Sequence, residues 1–138
     1  MSLLYELRVA SKLFTELFER ERRAAGLEDE AYGLLSFIRV FGPVTPTDLA
    51  GEFALPTTTM LDAVQRLVER GYAERVPNPD DRRSYLVAIT PAGEALTGRA
   101  VPIVRKIERE LERKLGRPIG EAIEAVGQID DALRALLK

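Results

Sequence analysis

The stretch TPTDLAGEFALPTTTMLDAVQRLVERG, residues 45–71, carries two helix starts so close together that few folds can accommodate them. Thr45 suits an N-cap, Pro46 the first helical position, where its missing N–H costs nothing, and Asp48 the first turn. That helix should end near Phe53. After only Ala54 and Leu55, Pro56 is expected as the first residue of a second helix, and Gly71 as its stop. Two helices separated by so few residues form a helix-turn-helix.

Turning each residue of the second helix by 100° sorts it cleanly. Met60, Ala63, Val64 and Leu67 share one face, while Thr58, Asp62, Gln65, Arg66 and Glu69 share the other, with Thr59 and Leu61 on the flanks. The outward face begins with the short hydroxyls Thr57, Thr58 and Thr59, which can approach phosphates and base edges closely, and Gln65 and Arg66 are residue types that make bidentate contacts with bases. The same face equally suits a helix that merely meets solvent, so on this helix alone both readings stand.

Two strands are expected next, Tyr72 to Val76 and Ser84 to Ile89, the second with Tyr85, Val87 and Ile89 on one side. The turn residues Pro77, Asn78, Pro79 and Asp80 make them a hairpin, and Asp80, Asp81, Arg82 and Arg83 charge its tip. A helix-turn-helix followed directly by such a hairpin is a winged helix.

The flanking sequence reads as helices. Leu3, Leu7, Ala10, Phe14 and Leu17 recur at steps of three and four between Ser2 and Ala25, before Gly26. A second helix runs through Ala31, Leu34, Leu35, Ile38 and Phe41, preceded by Glu28, Asp29 and Glu30, which suit the positive end of a helix dipole. Thr90 and Pro91 repeat the cap-plus-proline start and open a long helix toward Gly116, expected to bend or break between Gly98 and Pro102. A last helix, Pro118 to Leu137, carries Ile119, Ile123, Val126, Ile129, Leu133 and Leu136 as an apolar stripe. The two terminal helices offer more apolar surface than a winged helix of this size needs, which points to a homodimer built from the chain ends.

Composition narrows the function. At 138 residues the chain suits one domain. Cysteine and histidine are both absent, which removes disulfides, thiol redox sensing, most transition-metal sites and the commonest nucleophile and general base. Adjacent acids such as Asp80/Asp81 and Asp130/Asp131 have neither a glycine-rich phosphate loop nor a nucleophile elbow beside them, so no enzyme and no cofactor are expected. No apolar run approaches the length of a membrane span and no leader is evident at the N-terminus, so a cytoplasmic protein is expected. The net charge of −2 hides polarisation: residues 99–117 hold seven bases against three acids, and residues 24–65 six acids against one base.

The wing carries a resemblance. Asp81, Arg83, Ile89 and Thr90 reproduce D-x-R, five residues, then L-T, with Ile for Leu, and this pattern resembles the MarR family of bacterial transcription regulators. The likeness extends through AGLEDEAYGLLSFIRVFGPVTPTDLAGEF and LVERGYAERVPNPDDRRSYLVAITPAG and so covers nearly the whole chain. It implies a mainly α fold with one small β-hairpin, in a single domain over residues 1–138. The helix-turn-helix would occupy about 45–71, the wing about 72–89, and dimerisation helices about 2–25 and 91–137.

The implied function is that of a homodimeric repressor that binds a palindromic site in double-stranded DNA under the control of a small organic ligand. The implied DNA-contacting residues are Thr45, Thr57, Thr58, Thr59, Asp62, Gln65, Arg66, Arg82 and Arg83, with Arg83 in the minor groove and Asp81 orienting an arginine. Phe14, Phe18, Tyr32 and Arg39 fall near the family's usual ligand cleft. One departure stands out: Leu61 and Asp62 occupy positions where family members commonly have a hydroxyl residue and then Arg. Asp62 can accept a hydrogen bond from a cytosine amino group or pair with Arg66 one turn on. The alternative function is a winged-helix module that has lost DNA and binds proteins.

Overall fold

The structure, a computed structural model, describes residues 1–27 and 31–138. The acids Glu28, Asp29 and Glu30, expected to favour the start of the second helix, lie outside the described residues. The order of elements is α1 (Leu3–Ala24), α2 (Tyr32–Phe41), α3 (Pro46–Glu52), α4 (Thr57–Glu69), β1 (Ala73–Pro77), β2 (Tyr85–Ile89), α5 (Pro91–Leu115) and α6 (Ile119–Leu136). This is the mainly helical winged helix-turn-helix that the sequence implied.

Local chemistry accounts for most boundaries. Thr45 Oγ1 accepts from the Asp48 N–H at 3.0 Å, the cap expected there, and Ser2 Oγ caps α1 in the same way by accepting from the Tyr5 N–H at 3.2 Å. Pro56 differs from expectation: it is the N-cap of α4 and not its first residue, because its ψ of 144° is extended and only its carbonyl, accepting from the Met60 N–H at 3.0 Å, belongs to the helix. The turn before it rests on Ala54, whose φ of +51° is left-handed without being glycine.

Of the bend or break expected in α5, the break does not occur: the helix runs from Pro91 to Leu115 with Pro102 inside it. Proline removes one hydrogen bond there, while Ala100, Ile103 and Ile107, all buried, hold the backbone on both sides of it by packing.

By its contacts the chain divides into two units, residues 26–101 and residues 1–25 with 102–138. In the first, Leu35, Ile38, Leu49, Met60, Val64 and Val87 are essentially inaccessible and form the core under the wing. The strands of the wing pair antiparallel from Ala73 opposite Ile89 to Pro77 opposite Tyr85. A third segment joins them: Val44 and Val87 exchange backbone hydrogen bonds of 3.2 and 2.7 Å, a bridge just before α3 that the sequence did not suggest.

In the second unit Ile103 and Ile107 are buried, and so is a charged residue, Arg22, which is only 2% exposed. Arg22 is paired with Glu19, and this hydrogen bond holds the Glu19 carboxyl below its ordinary pKa against the opposing effect of desolvation. Lys106 Nζ meets Glu21 Oε2 at 2.7 Å, which joins α5 to α1; the same bond lowers the pKa of Glu21 and raises that of Lys106. Pro118 has no side-chain acceptor for the start of α6, and Glu112 replaces it by accepting from the Ile119 N–H at 2.8 Å.

Candidate nucleic-acid interface

The amphipathic sorting of α4 is realised. Met60, Val64 and Leu67 are buried, and Thr57, Thr58, Thr59, Leu61, Asp62, Gln65 and Arg66 are exposed. The C-terminal end of the helix is fixed by Gly71, whose φ of +79° lets Tyr72 N–H reach the Leu67 carbonyl at 2.9 Å. Thr90 then locks that end to α5: its hydroxyl donates to the Gly71 carbonyl at 2.6 Å and accepts from the Gly93 N–H at 3.1 Å. The threonine of the sequence pattern thus caps one helix and clamps the end of another.

At the wing tip the turn residues bond their own backbone. Asn78 Oδ1 accepts from the Asp80 N–H at 3.0 Å, and Asp81 Oδ1 from the Arg83 N–H at 2.9 Å. Arg82 and Arg83 stand exposed beyond this frame. Asp81 was expected to orient an arginine; the bond it makes holds the backbone from which the Arg83 side chain projects.

Not every candidate on α4 is free to act. Gln65 Oε1 accepts from an Arg75 guanidinium nitrogen and its amide donates to Glu69 Oε1 at 2.9 Å, so both ends of the amide are engaged. Arg75 also lies over the Tyr85 ring, 5.3 Å from its centroid. Arg75 was missed at the level of sequence because its meeting with Tyr85 is a diagonal across the hairpin, legible only once the register is known. Thr45 is half-buried and its hydroxyl is engaged in capping α3. The Asp62–Arg66 pair is not formed: no hydrogen bond or ion pair joins the two among the described residues.

The four residues expected near a ligand cleft fall on two helices. Phe14 and Phe18 lie one turn apart on α1, the first 37% exposed and the second half-buried. Tyr32 and Arg39 lie two turns apart on α2, where Tyr32 belongs to the core and Arg39 is exposed. No helix among the described residues is long and apolar enough to cross a membrane.

Residues 25–84 match the model of the MarR family. The chain is 35% identical over 65 residues to the multiple antibiotic resistance protein MarR of Salmonella typhimurium, a stretch covering 47% of this chain and 45% of that one. It is 30% identical over 101 residues to the HTH-type transcriptional repressor NicR of Pseudomonas putida, covering 73% of this chain and 64% of that one. The matched stretch thus spans about half to two thirds of these relatives' length. Among solved structures, Bordetella bronchiseptica BpsR, described as regulated in its DNA binding by 6-hydroxynicotinic acid, matches with a TM-score of 0.67 at 24% identity over 95% of this chain and 92% of that one.

Proposed function

The chain belongs to the MarR family, whose members are transcription regulators, and on that premise we propose that it is a sequence-specific DNA-binding repressor. The observation that carries this reading is the pairing, within one unit, of an exposed α4 face that starts with three threonines and a wing tip whose two arginines stand outward on a backbone held by Asp81. In a helix-turn-helix the N-terminal residues of the second helix meet base edges in the major groove. Thr57, Thr58, Thr59, Asp62 and Arg66 are then the polar contacts of α4, Arg82 meets a phosphate and Arg83 enters the minor groove, where a narrow groove concentrates negative potential.

The reading includes a homodimer on a palindromic operator and control by a small organic ligand. Dimerisation is supported by the apolar residues left exposed on the terminal helices, among them Leu4, Leu13, Ile123, Val126 and Leu133. Control by a small molecule is supported by the description of BpsR, whose DNA binding is regulated by 6-hydroxynicotinic acid. A ligand with unequal affinity for DNA-competent and incompetent dimers shifts the population between them.

Electrophoretic mobility shifts on DNA from immediately upstream of the protein's own gene test the proposal. Retardation that resists excess unrelated duplex is expected. Absence of binding to any duplex at low salt would overturn it in favour of a winged helix that docks on protein.

A further inference from the structure

We propose that Leu61 and Asp62, and not Gln65, choose the operator sequence: Asp62 selects a cytosine and Leu61 an adjacent thymine. This rests on the DNA-binding reading above and adds the bases. Gln65 is the residue of α4 best suited by type to read adenine, yet its amide oxygen already accepts from Arg75 and one of its two amide N–H groups donates to Glu69, which holds the amide away from the paired geometry adenine needs. Arg75 itself lies over the Tyr85 ring, so the partner that holds Gln65 is in turn held by the wing. The glutamine ties the helix to the wing.

Asp62 lies on the N-terminal half of the same face, exposed and without an ion pair or hydrogen bond from its side chain among the described residues. A carboxylate only accepts, so against phosphates it is repelled and against a base it needs an amino group. In the major groove that group belongs to cytosine or adenine. Adenine sets the N7 acceptor beside its amine, which repels a carboxylate; cytosine has no acceptor on its own major-groove edge. Cytosine is therefore the base that Asp62 accepts.

Leu61 is 40% exposed, a large apolar side chain on the rim of a face that otherwise begins with threonines. It contributes no hydrogen bond, so the group it can recognise is the thymine C5-methyl.

Selection of randomised duplexes by the full-length protein, followed by affinity measurements on the selected site, tests both assignments. The wild type is expected to select a cytosine in each half-site, with replacement of that base costing about tenfold in affinity. Asp62→Ala should lose the preference. Replacing the neighbouring thymine by deoxyuridine, which removes only the methyl, should weaken wild-type binding about fourfold and leave Leu61→Ala indifferent. Gln65→Ala should select the same sequence as wild type.

If Asp62→Ala keeps the cytosine, if wild type and Leu61→Ala respond alike to deoxyuridine, or if Gln65→Ala changes the selected bases, the assignment is overturned while DNA binding stands. If the wild type selects no duplex, the DNA-binding reading is overturned with it. All three positions are exposed, and unchanged circular dichroism of the variants excludes misfolding as the cause.

Discussion

Arg83 owes its place to a hydrogen bond made by the residue two positions before it, where Asp81 grips the Arg83 N–H at 2.9 Å and leaves the side chain outward. Arg83→Ala should weaken operator binding and lower the slope of log affinity against log salt by about one, as for loss of one cationic contact; mobility shifts at several salt concentrations check this. Ala54 is the reverse case, a residue in a left-handed conformation that L side chains pay to adopt, costing about 1–2 kcal/mol. Ala54→Gly should stabilise the protein by about 0.5–1 kcal/mol after the greater entropy of the unfolded glycine chain is deducted, read from denaturant unfolding.

At Gly93 there is no room at all, since an added Cβ would stand 2.2 Å from the Tyr72 carbonyl oxygen. Gly93→Ala should therefore destabilise by about 1–3 kcal/mol in the same measurement.

Among the elements, α6 depends on a neighbour for its start. The helix begins after a proline with no side-chain acceptor, and Glu112 at the end of α5 supplies one across the turn. Glu112→Ala should cost about 1 kcal/mol, the usual worth of an N-cap, and fray α6 from its first turn; amide hydrogen exchange there, with the wing as internal reference, is the measurement. The wing depends on a neighbour in the same way. Two strands alone are marginal, and Val44 adds a further antiparallel rung on Val87.

For the whole molecule, the question is what covers the terminal helices. No residue of α6 is buried, and Ile123, Val126 and Leu133 are each about half exposed, although their spacing is that of a packed stripe. Under the proposed dimer a second copy covers them. Light scattering of the purified protein should give twice the chain mass. Removal of residues 118–138 should leave aggregates or an unfolded chain, because the apolar residues of α1 lose their cover; a monodisperse, folded monomer would overturn the dimer.

The sequence by itself determined the order of elements, the inward and outward faces of α4 and the position of the wing, because caps, glycines and periodicity act over a few residues. The cap at Thr45, the stop at Gly71 and the charged tip at Asp80–Arg83 were all readable from neighbours in the chain. Only the tertiary structure decided that Gln65 is held by Arg75, that Asp62 and Arg66 stay apart, that Val44 adds to the wing and that Glu112 caps α6. The Gln65–Arg75 bond and the Val44 bridge depend on where residues ten or more positions apart meet, and the other two on competition among partners that a helical wheel cannot rank. Pro102 shows the same limit from the other side: its local cost is evident in the sequence, and the packing of Ala100, Ile103 and Ile107 that keeps α5 whole is not.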